Sequence, residues 1–509
     1  MMMDVIKDLA LQLWQANLVA SRAKAAGMAL IGIDIGTTAV KAVLADASGQ
    51  RLSSYAASYP TARPGAGCVE QDPADWMAHV QAALAQFEAV GVTVQGIGIT
   101  SQVNTHVFCD TNLQVLAPAI VWQDVRAAAA GAALDAQITL EAKIAALGAA
   151  IPMDASHAMA RMSWMAAERP LVWAQTADVL APKDYAIACL TGVVAADPLA
   201  SVGLVGPDLR YASAILDLFP GAAEVLPTLR DPLDIAGTVL NGPFKGVPVV
   251  TGTMDAWAAL FGVGVAQTGQ AMNLSGTSEV LGLISTNRLP EPGVITFPDW
   301  RGITLHAGPT QSGGASLDWL GRLIGRTVPE MAAMVGRVSP DTPLFLPHIA
   351  GERAPLWDAQ ARGVFAGLSA AHRPADMVLA VMEGVAFSAR LALEALERAG
   401  DVRPEEIRAG GGGTASDTWC QIRADAFGRP LVRMQAQDAG AVGAMVMAGA
   451  GCGLLPDLAA AAARLVRVDR RFEPGPGMAL ADRRYAIWRQ VYAQMRGVNA
   501  RLAAEREFM

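Results

Sequence analysis

The apolar positions of the chain fall into two kinds of run. Short runs rich in Val, Ile and Leu predict buried strands, and longer Ala-rich runs with interspersed polar residues predict helices. The predicted strands are 29–35, 40–45, 94–99, 247–250 and 271–274. The predicted helices are 73–90, 127–147 and 376–399. Strands that alternate with helices, joined by short connections rich in Gly and Pro, are typical of an α/β protein.

Two turns of similar sequence indicate how the chain is divided. The segments IDIGTTAV (33–40) and MNLSGTSEV (272–280) each place Gly-Thr-Thr/Ser between an apolar strand and a Val, and their glycines are 240 positions apart in a chain of 509 residues. Chance can produce so short a match, but the preceding strands and the spacing favour a duplicated domain. We therefore predict a first domain at 28–264 and a second at 265–509, with the two turns on opposite sides of one ligand.

The first 27 residues precede the predicted first strand. They lack the cationic start of a signal peptide, so we do not expect secretion. We interpret 1–27 as an N-terminal extension that is either a helical appendage or the product of a start codon placed too early, since Met28 stands directly before the strand.

Composition and charge narrow the classes of function. Hydrophobic residues make up 52% and charged residues 17%, which predicts a well-folded protein. The net charge of −8 and the absence of a Lys/Arg run argue against nucleic-acid binding. The longest uncharged run, Ala439 to Leu455, is shorter than the ~20 residues of a membrane span and predicts a buried helix. Five scattered cysteines indicate a reduced, cytoplasmic protein.

The first turn carries candidate phosphate chemistry. Gly36 allows backbone N–H groups to approach an anion, and the hydroxyls of Thr37 and Thr38 add donors. The Gly-Lys-Ser/Thr ending of a Walker loop and the third glycine of a dinucleotide fingerprint are both absent. Asp34 lies inside an apolar strand, where a nucleotide-bound Mg²⁺ would satisfy its charge. The alternative is a carboxylate that caps the N–H groups of its own turn.

A second carboxylate stands at the start of an apolar helix. In GVPVVTGTMDAWAALFG (246–262), Asp255 follows a Val-rich strand and a Thr-Gly-Thr loop. It can be a helix N-cap, or it can accept the proton of an attacking hydroxyl in phosphoryl transfer. The local sequence does not separate these two interpretations.

Two further segments carry residues that suit ligand binding. Four glycines, 410–413, precede a helix start marked by Ser416, and this pattern suits either a ligand close to the backbone or a flexible loop. Gln102, Asn104 and Trp122 follow strand-like runs, and polar groups beside an aromatic ring suit a polyol, although a surface hairpin with a half-buried Trp fits as well. No histidine pair has metal-ligand spacing, and no Gly-x-Ser-x-Gly elbow occurs.

Together these segments resemble the FGGY family of carbohydrate kinases, in order from about Ala29 to the end of the chain. The motifs that carry the resemblance are IGIDIGTTAVKAVL, AIVWQDVR, KDYAIACLTG, TMDAWAALFGVG, NLSGTSEVL, LPHIAGERAPLWDAQARGVFAGL and GGGTASDTWCQIRADAFGRPL. The resemblance implies an α/β protein of two ribonuclease H-like domains of the actin and hexokinase type, in which ATP and a sugar meet in an interdomain cleft.

The resemblance also implies roles for individual residues. Asp255 is implied to be the catalytic base, and Asp34 together with Asp255 is implied to bind Mg²⁺. The implied ATP-binding residues are Thr37, Thr38, Gly276, Thr277, Gly412, Gly413 and Ser416. The implied substrate-binding residues, besides Asp255, are Gln102, Val103, Asn104, Trp122, Ser156 and His157.

The substrate follows less directly from the resemblance. Glycerol kinases carry Arg-Glu where this chain has Val103-Asn104, and xylulose kinases typically carry Gln-Met-His where it has Gln102-Val103-Asn104. A ketopentose such as D-xylulose is our prediction, with a tetritol, ribulose or glycerol as alternatives. An actin-like ATPase switch and a sugar sensor without transfer activity are further alternatives. Homodimers are common among relatives, and neither a nucleic acid nor a membrane is expected as a partner.

Overall fold

The computed structural model describes residues 28–507. The predicted extension 1–27 lies outside the described residues. The described chain forms two compact units. Unit 1 runs to Gly264 and also includes Asp438–Val466, whereas unit 2 comprises Val265–Gln437 and the chain from Arg467 onward.

Unit 1 is built on a six-stranded sheet with the order β3-β2-β1-β5-β10-β9. Two short pairs, β4 with β7 and β6 with β8, stand beside it. The strands are β1 (Ala29–Ile35), β2 (Ala39–Asp46), β3 (Arg51–Ser58), β4 (Glu70–Gln71), β5 (Val94–Ser101), β6 (Val107–Cys109), β7 (Ala119–Ile120), β8 (Asp178–Leu180), β9 (Ile235–Thr238) and β10 (Pro248–Val250).

The helices of unit 1 cover this sheet and form a second apolar cluster beyond β6 and β7. They are α1 (Pro73–Glu88), α2 (Ala128–Asp135), α3 (Leu140–Leu147), α4 (Ala158–Glu168), α5 (Pro170–Trp173), α6 (Pro182–Thr191), α7 (Ser213–Leu216) and α8 (Asp255–Gly262). A single 3₁₀ turn is described in this part of the chain, at Ala223–Val225.

Unit 2 is built on a seven-stranded sheet with the order β13-β14-β12-β11-β17-β18-β19, and β15 pairs with β16 beside it. Its strands are β11 (Ala271–Ser275), β12 (Glu279–Ser285), β13 (Ile295–Thr296), β14 (Thr304–Pro309), β15 (Leu344–Leu346), β16 (Val364–Ala366), β17 (Ile407–Gly410), β18 (Leu431–Met434) and β19 (Val468–Phe472). Its first helices are α9 (Gly314–Ile324), α10 (Val328–Met334), α11 (Pro374–Gly400) and α12 (Asp417–Phe427), with a 3₁₀ turn at Gly412–Thr414.

The chain then returns to unit 1 with α13 (Ala439–Gly451) and α14 (Leu458–Leu465), and it ends in unit 2 with α15 (Met478–Glu507). Helix α13 corresponds to the uncharged run and is buried along nearly its whole length. It lies so close to the sheet that a Cβ on Gly32 or on Gly98 would stand 1.9 Å from a carbonyl oxygen of the helix. The glycines of β1 and β5 therefore permit a close helix–sheet contact.

The two sheets share a six-strand pattern. In unit 1, β3, β2 and β1 pair antiparallel, β1, β5 and β10 pair parallel, and β9 adds an antiparallel edge. In unit 2, β14, β12 and β11 pair antiparallel, β11, β17 and β18 pair parallel, and β19 adds the antiparallel edge. The two Gly-Thr turns occupy equivalent places, between β1 and β2 and between β11 and β12.

The structure differs from the predicted organisation in two places. Residues 438–466 belong to unit 1, although we predicted them in the second domain, because α13 packs against β1, β5 and α8. The single helix predicted at 127–147 is two helices, because Thr139 caps the second one and its hydroxyl accepts from the N–H of Ala142.

Candidate active site

The Asp34 carboxylate lies next to the last residue of β1. Its Oδ1 is buried and has no hydrogen-bond partner within the described chain. Burial, followed by the negative charge of Asp255, raises the pKa of Asp34 to about 7, while Lys41 acts in the opposite direction. The expected alternative, a carboxylate that caps its own turn, would place backbone N–H donors on this oxygen. The unpartnered Oδ1 instead leaves a position for a cation or a donor from a ligand.

Asp255 is the first residue of α8, and the N-cap position belongs to Met254. Its Oδ1 accepts from the N–H of Ala256 at 2.8 Å, and burial raises its pKa to about 6. The loop before it is pinned to β5. Gly252 has φ +67°, its Cβ would stand 2.1 Å from the carbonyl oxygen of Ile99, and the hydroxyl of Thr100 donates to the carbonyl of Thr253. This loop holds the carboxylate at a fixed place beside the sheet edge.

A hydrogen-bonded network joins the predicted phosphate turn to the predicted polyol residues. The indole N–H of Trp122 donates to the hydroxyl of Thr37 at 3.0 Å. Gln102 donates to the side chain of Gln71 at 2.8 Å, and Gln71 donates to the carbonyl of Thr37 at 2.8 Å. Gln71 was missed in the sequence because the strand β4 that carries it has only two residues. The Thr38 side chain is exposed beside this network.

Asn104 and Ser156 are in direct contact within unit 1. Asn104 has φ +52°, a left-handed conformation that asparagine tolerates better than most residues, and its side-chain amide donates to Ser156 Oγ at 3.2 Å. Val103 is half-buried next to it. The structure thus groups Gln102, Val103 and Asn104 around one bend after β5.

His157 is placed differently from its predicted sugar contact. Its Nδ1 accepts from the N–H of Met159 as the N-cap of α4, and its Nε2 contacts the carbonyl of Gly203 at 3.2 Å. Burial lowers its pKa to about 4, which keeps the ring neutral. Because both ring nitrogens are used inside the protein, we no longer place His157 among the sugar contacts.

The motif KDYAIACLTG contributes to the stability of the fold. The Lys183 side chain is fully buried and forms ion pairs with Asp184 and, at 2.8 Å, with Asp197. Burial opposes the charge of Lys183, but the two carboxylates keep its pKa raised. This motif therefore ties α6 to the loop that follows it.

In unit 2, the predicted nucleotide residues line one cavity of 490 Å³. The backbone carbonyls of Gly276 and Thr277 accept from the first N–H groups of α9, and Ser416 caps α12 through the N–H of Trp419. The lining comprises Gly276, Thr277, Gly314, Leu317, Asp318, Val328, Pro329, Ala332, Met382, Gly412, Gly413, Ala415, Ser416 and Trp419. One wall is apolar, and glycines form much of the rest.

A buried arginine supports this cavity from behind. Arg423 donates to Ser275 Oγ at 2.6 Å and to the carbonyl of Gly413 at 3.1 Å, pairs with Glu279, and lies over the ring of Trp419. A Cβ on Gly413 would stand 2.0 Å from Ser275 Oγ, whereas one on Gly412 would meet nothing within 4 Å. Sequence reasoning missed Arg423 because an arginine inside a helix gives no local sign of burial.

Within residues 28–507, no helix has the length and apolar character needed to cross a membrane. The same residues contain no group of three or more His, Cys, Asp or Glu side chains able to hold a metal by themselves. All five cysteines are free thiols.

Comparison with known proteins identifies the family of both halves of the chain. The N-terminal domain model of the FGGY family of carbohydrate kinases matches residues 29–262, and the C-terminal domain model matches residues 271–452. A xylulose kinase of Lactococcus lactis subsp. lactis is 28% identical over 93% of this chain and 98% of its own length. A xylulose kinase of Escherichia coli is 31% identical over 82% of this chain and 89% of its own length.

A solved structure is also similar to this chain. The ligand-bound xylulose kinase from Lactobacillus acidophilus superposes with a TM-score of 0.83 and 25% identity, over 93% of this chain and 100% of that one. The two-domain α/β fold predicted from the sequence is thus confirmed, and the chain is a phosphotransferase that acts on a carbohydrate. It belongs to the FGGY family of carbohydrate kinases, whose members use ATP as the phosphate donor.

Proposed function

We propose that this enzyme transfers the γ-phosphoryl group of ATP to a primary hydroxyl of a small sugar, with D-xylulose as the best candidate. The observation that carries the proposal is Asp255. It is a half-buried carboxylate with a raised pKa and a single backbone hydrogen bond, in the same unit as the network formed by Trp122, Thr37, Gln71 and Gln102. Such a group can accept a proton from a bound hydroxyl.

In the proposed mechanism, the sugar hydroxyl lies within hydrogen-bond distance of Asp255. The carboxylate accepts the hydroxyl proton as the oxygen attacks the γ-phosphorus and the bond to the leaving ADP breaks. Trp122 offers the apolar ring on which a sugar face rests, and Gln102 has a buried Oε1 with no partner within the described chain. Asn104 and Ser156 supply further polar groups beside them.

The residues present fit a magnesium ion that arrives with the nucleotide. Mg²⁺ in such sites is held by one or two carboxylates, the phosphates and water, so a larger protein cluster is not required. Asp34, with its unpartnered buried Oδ1, and the neighbouring Asp255 would supply the carboxylates. When bound, the ion would neutralise charge on the phosphate oxygens.

The cavity of unit 2 has the chemistry of a nucleotide site. Its apolar wall, which includes Leu317, Pro329 and Met382, suits a purine ring, and its glycine-lined side suits phosphates and ribose. We assign Gly276, Thr277, Gly412, Gly413 and Ser416 to the nucleotide on this basis. Thr37 and Thr38 are assigned to the phosphates in unit 1.

Two observations support D-xylulose as the acceptor sugar. The relatives named above are xylulose kinases, and their similarity extends over both units. The chain also lacks the Arg-Glu pair of glycerol kinases at Val103-Asn104. Ribulose and tetritols are the competing acceptors. The five free cysteines support a cytoplasmic location for the enzyme.

A screen of acceptors tests the proposal. The purified enzyme would be incubated with Mg-ATP and D-xylulose, D-ribulose, tetritols, glycerol, hexuloses or sugar acids, and the phosphorylated product would be identified by mass. We expect the highest kcat/KM with D-xylulose. A higher value for another acceptor would replace the assigned sugar, and ATP binding without a phosphorylated product from any acceptor would overturn the kinase mechanism.

A further inference from the structure

Arg161 in α4 is a fully buried arginine whose hydrogen bonds go mainly to backbone carbonyls. Its guanidinium donates to the carbonyls of Asn104, Ile120, Val121 and Ala155, at 2.8 Å for Ile120 and 2.7 Å for Val121. No carboxylate forms an ion pair with it within residues 28–507. Arg161 therefore ties the bend at Asn104 to the chain segment that leads to Trp122.

The guanidinium of Arg161 also fixes the tautomer of His106. Nη1 of Arg161 lies 2.9 Å from Nδ1 of His106. Because a guanidinium has only donors, Nδ1 must accept, and the proton of the neutral ring stands on Nε2. Burial, followed by the charge of Arg161, holds the pKa of His106 well below its usual range, so the ring stays neutral.

Within the described part of the chain, the only side-chain hydrogen bond of His106 is the one at Nδ1, so its Nε2–H has no protein partner, and the residue is half-buried. His106 thus differs from His157, whose two nitrogens are both used. A donor that is oriented by a buried arginine and left without a partner is available to a ligand.

The surroundings of His106 indicate which ligand. His106 pairs antiparallel with Ile120, and the hydroxyl of the preceding Thr105 accepts from the N–H of Trp122. Two residues before His106 is Asn104, whose carbonyl is bound by the same nitrogen of Arg161. His106 is thus next in the chain to Thr105, which contacts Trp122, and it shares the Arg161 guanidinium with the carbonyl of Asn104.

We propose that His106 is a further specificity-determining residue, which donates its Nε2–H to an oxygen of the acceptor sugar. Arg161 is the positioning residue that fixes this tautomer and holds the Asn104 carbonyl. The inference rests on the proposed function, because the ligand of this part of unit 1 is taken to be the sugar.

Substitutions at His106 test the contact. His106→Leu removes the donor, and His106→Gln keeps an N–H near the position of Nε2. The KM for D-xylulose is expected to rise about tenfold in His106→Leu and to stay within about threefold in His106→Gln, because a neutral hydrogen bond is lost in one and kept in the other. The KM for ATP and the Tm are expected to be unchanged. His372→Leu, in a loop of unit 2, is the matched control, with the KM for D-xylulose and the KM for ATP at wild-type values.

Arg161→Lys tests the positioning role. Lysine keeps the charge but lacks the planar fork that binds several acceptors at once. We expect a higher sugar KM with little change in the KM for ATP. A ¹⁵N spectrum of the histidine side chains is expected to show His106 as the Nε2–H tautomer in the wild type and as a tautomer mixture in Arg161→Lys.

Addition of D-xylulose without nucleotide gives a readout that does not depend on turnover. The Nε2 resonance of His106 is expected to shift on sugar binding. An unshifted resonance, or a sugar KM in His106→Leu equal to that of the wild type, would overturn the inference. If His106→Leu lowers the Tm, the contact is tested by the sugar KM of His106→Gln and by the shift of the wild-type Nε2 resonance on addition of D-xylulose. Failure of the proposed function is a separate result, since wild-type enzyme would then phosphorylate no sugar.

Discussion

Gly440 lies directly against the carboxylate of Asp34. A Cβ built on Gly440 would stand 2.4 Å from Asp34 Oδ2, well inside van der Waals contact. Gly440 is the second residue of α13, so the N-terminal end of this buried helix closes one side of the site around Asp34. Any side chain at position 440 must displace either the helix or the carboxylate.

Gly440→Ala is expected to lower kcat by about 100-fold, because a displacement of the carboxylate by about 1 Å can cost that much in a phosphoryl-transfer site. Steady-state kinetics and nucleotide affinity would be measured together, and the affinity is expected to change much less than kcat. Gly449→Ala in the same helix is the control, because its Cβ would meet only leucine side chains at 3.2 Å or more. Equal kcat values for the two variants would contradict the assigned role of Asp34.

Asp255→Asn is expected to lower kcat by about 1,000-fold or more while the affinity for ATP stays near that of the wild type. The amide keeps the size of the side chain but cannot accept the proton of the sugar hydroxyl. Rapid-quench measurement of phosphorylated sugar and calorimetry of ATP binding would separate the two effects. Asp208→Asn, at an exposed loop of the same unit, serves as the control. Substantial transfer by Asp255→Asn would mean that another group is the base.

Adjacent glycines of the unit 2 cavity are expected to respond differently to a methyl group. In Gly413→Ala the Cβ would meet Ser275 Oγ at 2.0 Å, so we expect a lower Tm. In Gly412→Ala the Cβ meets no protein atom within 4 Å, so the fold should persist while the methyl enters the cavity and raises the KM for ATP. Tm and KM measured on both variants would check this. Unchanged ATP binding in a folded Gly412→Ala would argue against nucleotide at that position.

The buried ring of His157 predicts a loss of stability in mild acid. Its pKa is lowered from 6.5 to about 4, so the unfolded chain binds more protons between these values, and stability falls as the pH falls below 6.5. At pH 5 the titration of His157 lowers the free energy of unfolding by about 2 kcal/mol relative to its value at neutral pH.

Unfolding measured at pH 7 and pH 5 would test this prediction. His157→Asn, which keeps an N-cap acceptor but does not titrate, is expected to lose less stability than the wild type over this interval. An identical pH dependence in the two proteins would contradict it.

Much of the fold could be predicted because its signals are local. The strands β1, β5 and β11 are short segments rich in apolar residues, and the uncharged composition of α13 indicates burial. The position of α13 could not be predicted, because its contacts with Gly32 and Gly98 join residues far apart in sequence. The division of the predicted helix at 127–147 depends on the single cap at Thr139.

The candidate site shows the same limit. Asp34 and Asp255 are recognisable because a carboxylate next to an apolar strand or helix is conspicuous in sequence. Gln71, Arg423 and Gly440 carry no such signal, since their roles arise only from what the fold brings beside them. His157 was assigned to the sugar from the family resemblance alone, and only its hydrogen bonds to Met159 and Gly203 reveal its role inside the protein.

The return of the chain to unit 1 also has a consequence for synthesis on the ribosome. The sheet of unit 1 is complete when Val250 has been made, but the helix that covers β1 and β5 is encoded only from residue 439 onward. The nascent first unit must therefore keep an apolar sheet face exposed until almost the entire protein has been translated. Folding of this enzyme is accordingly completed after synthesis, and a fragment ending at Gly264 would lack one wall of its own core.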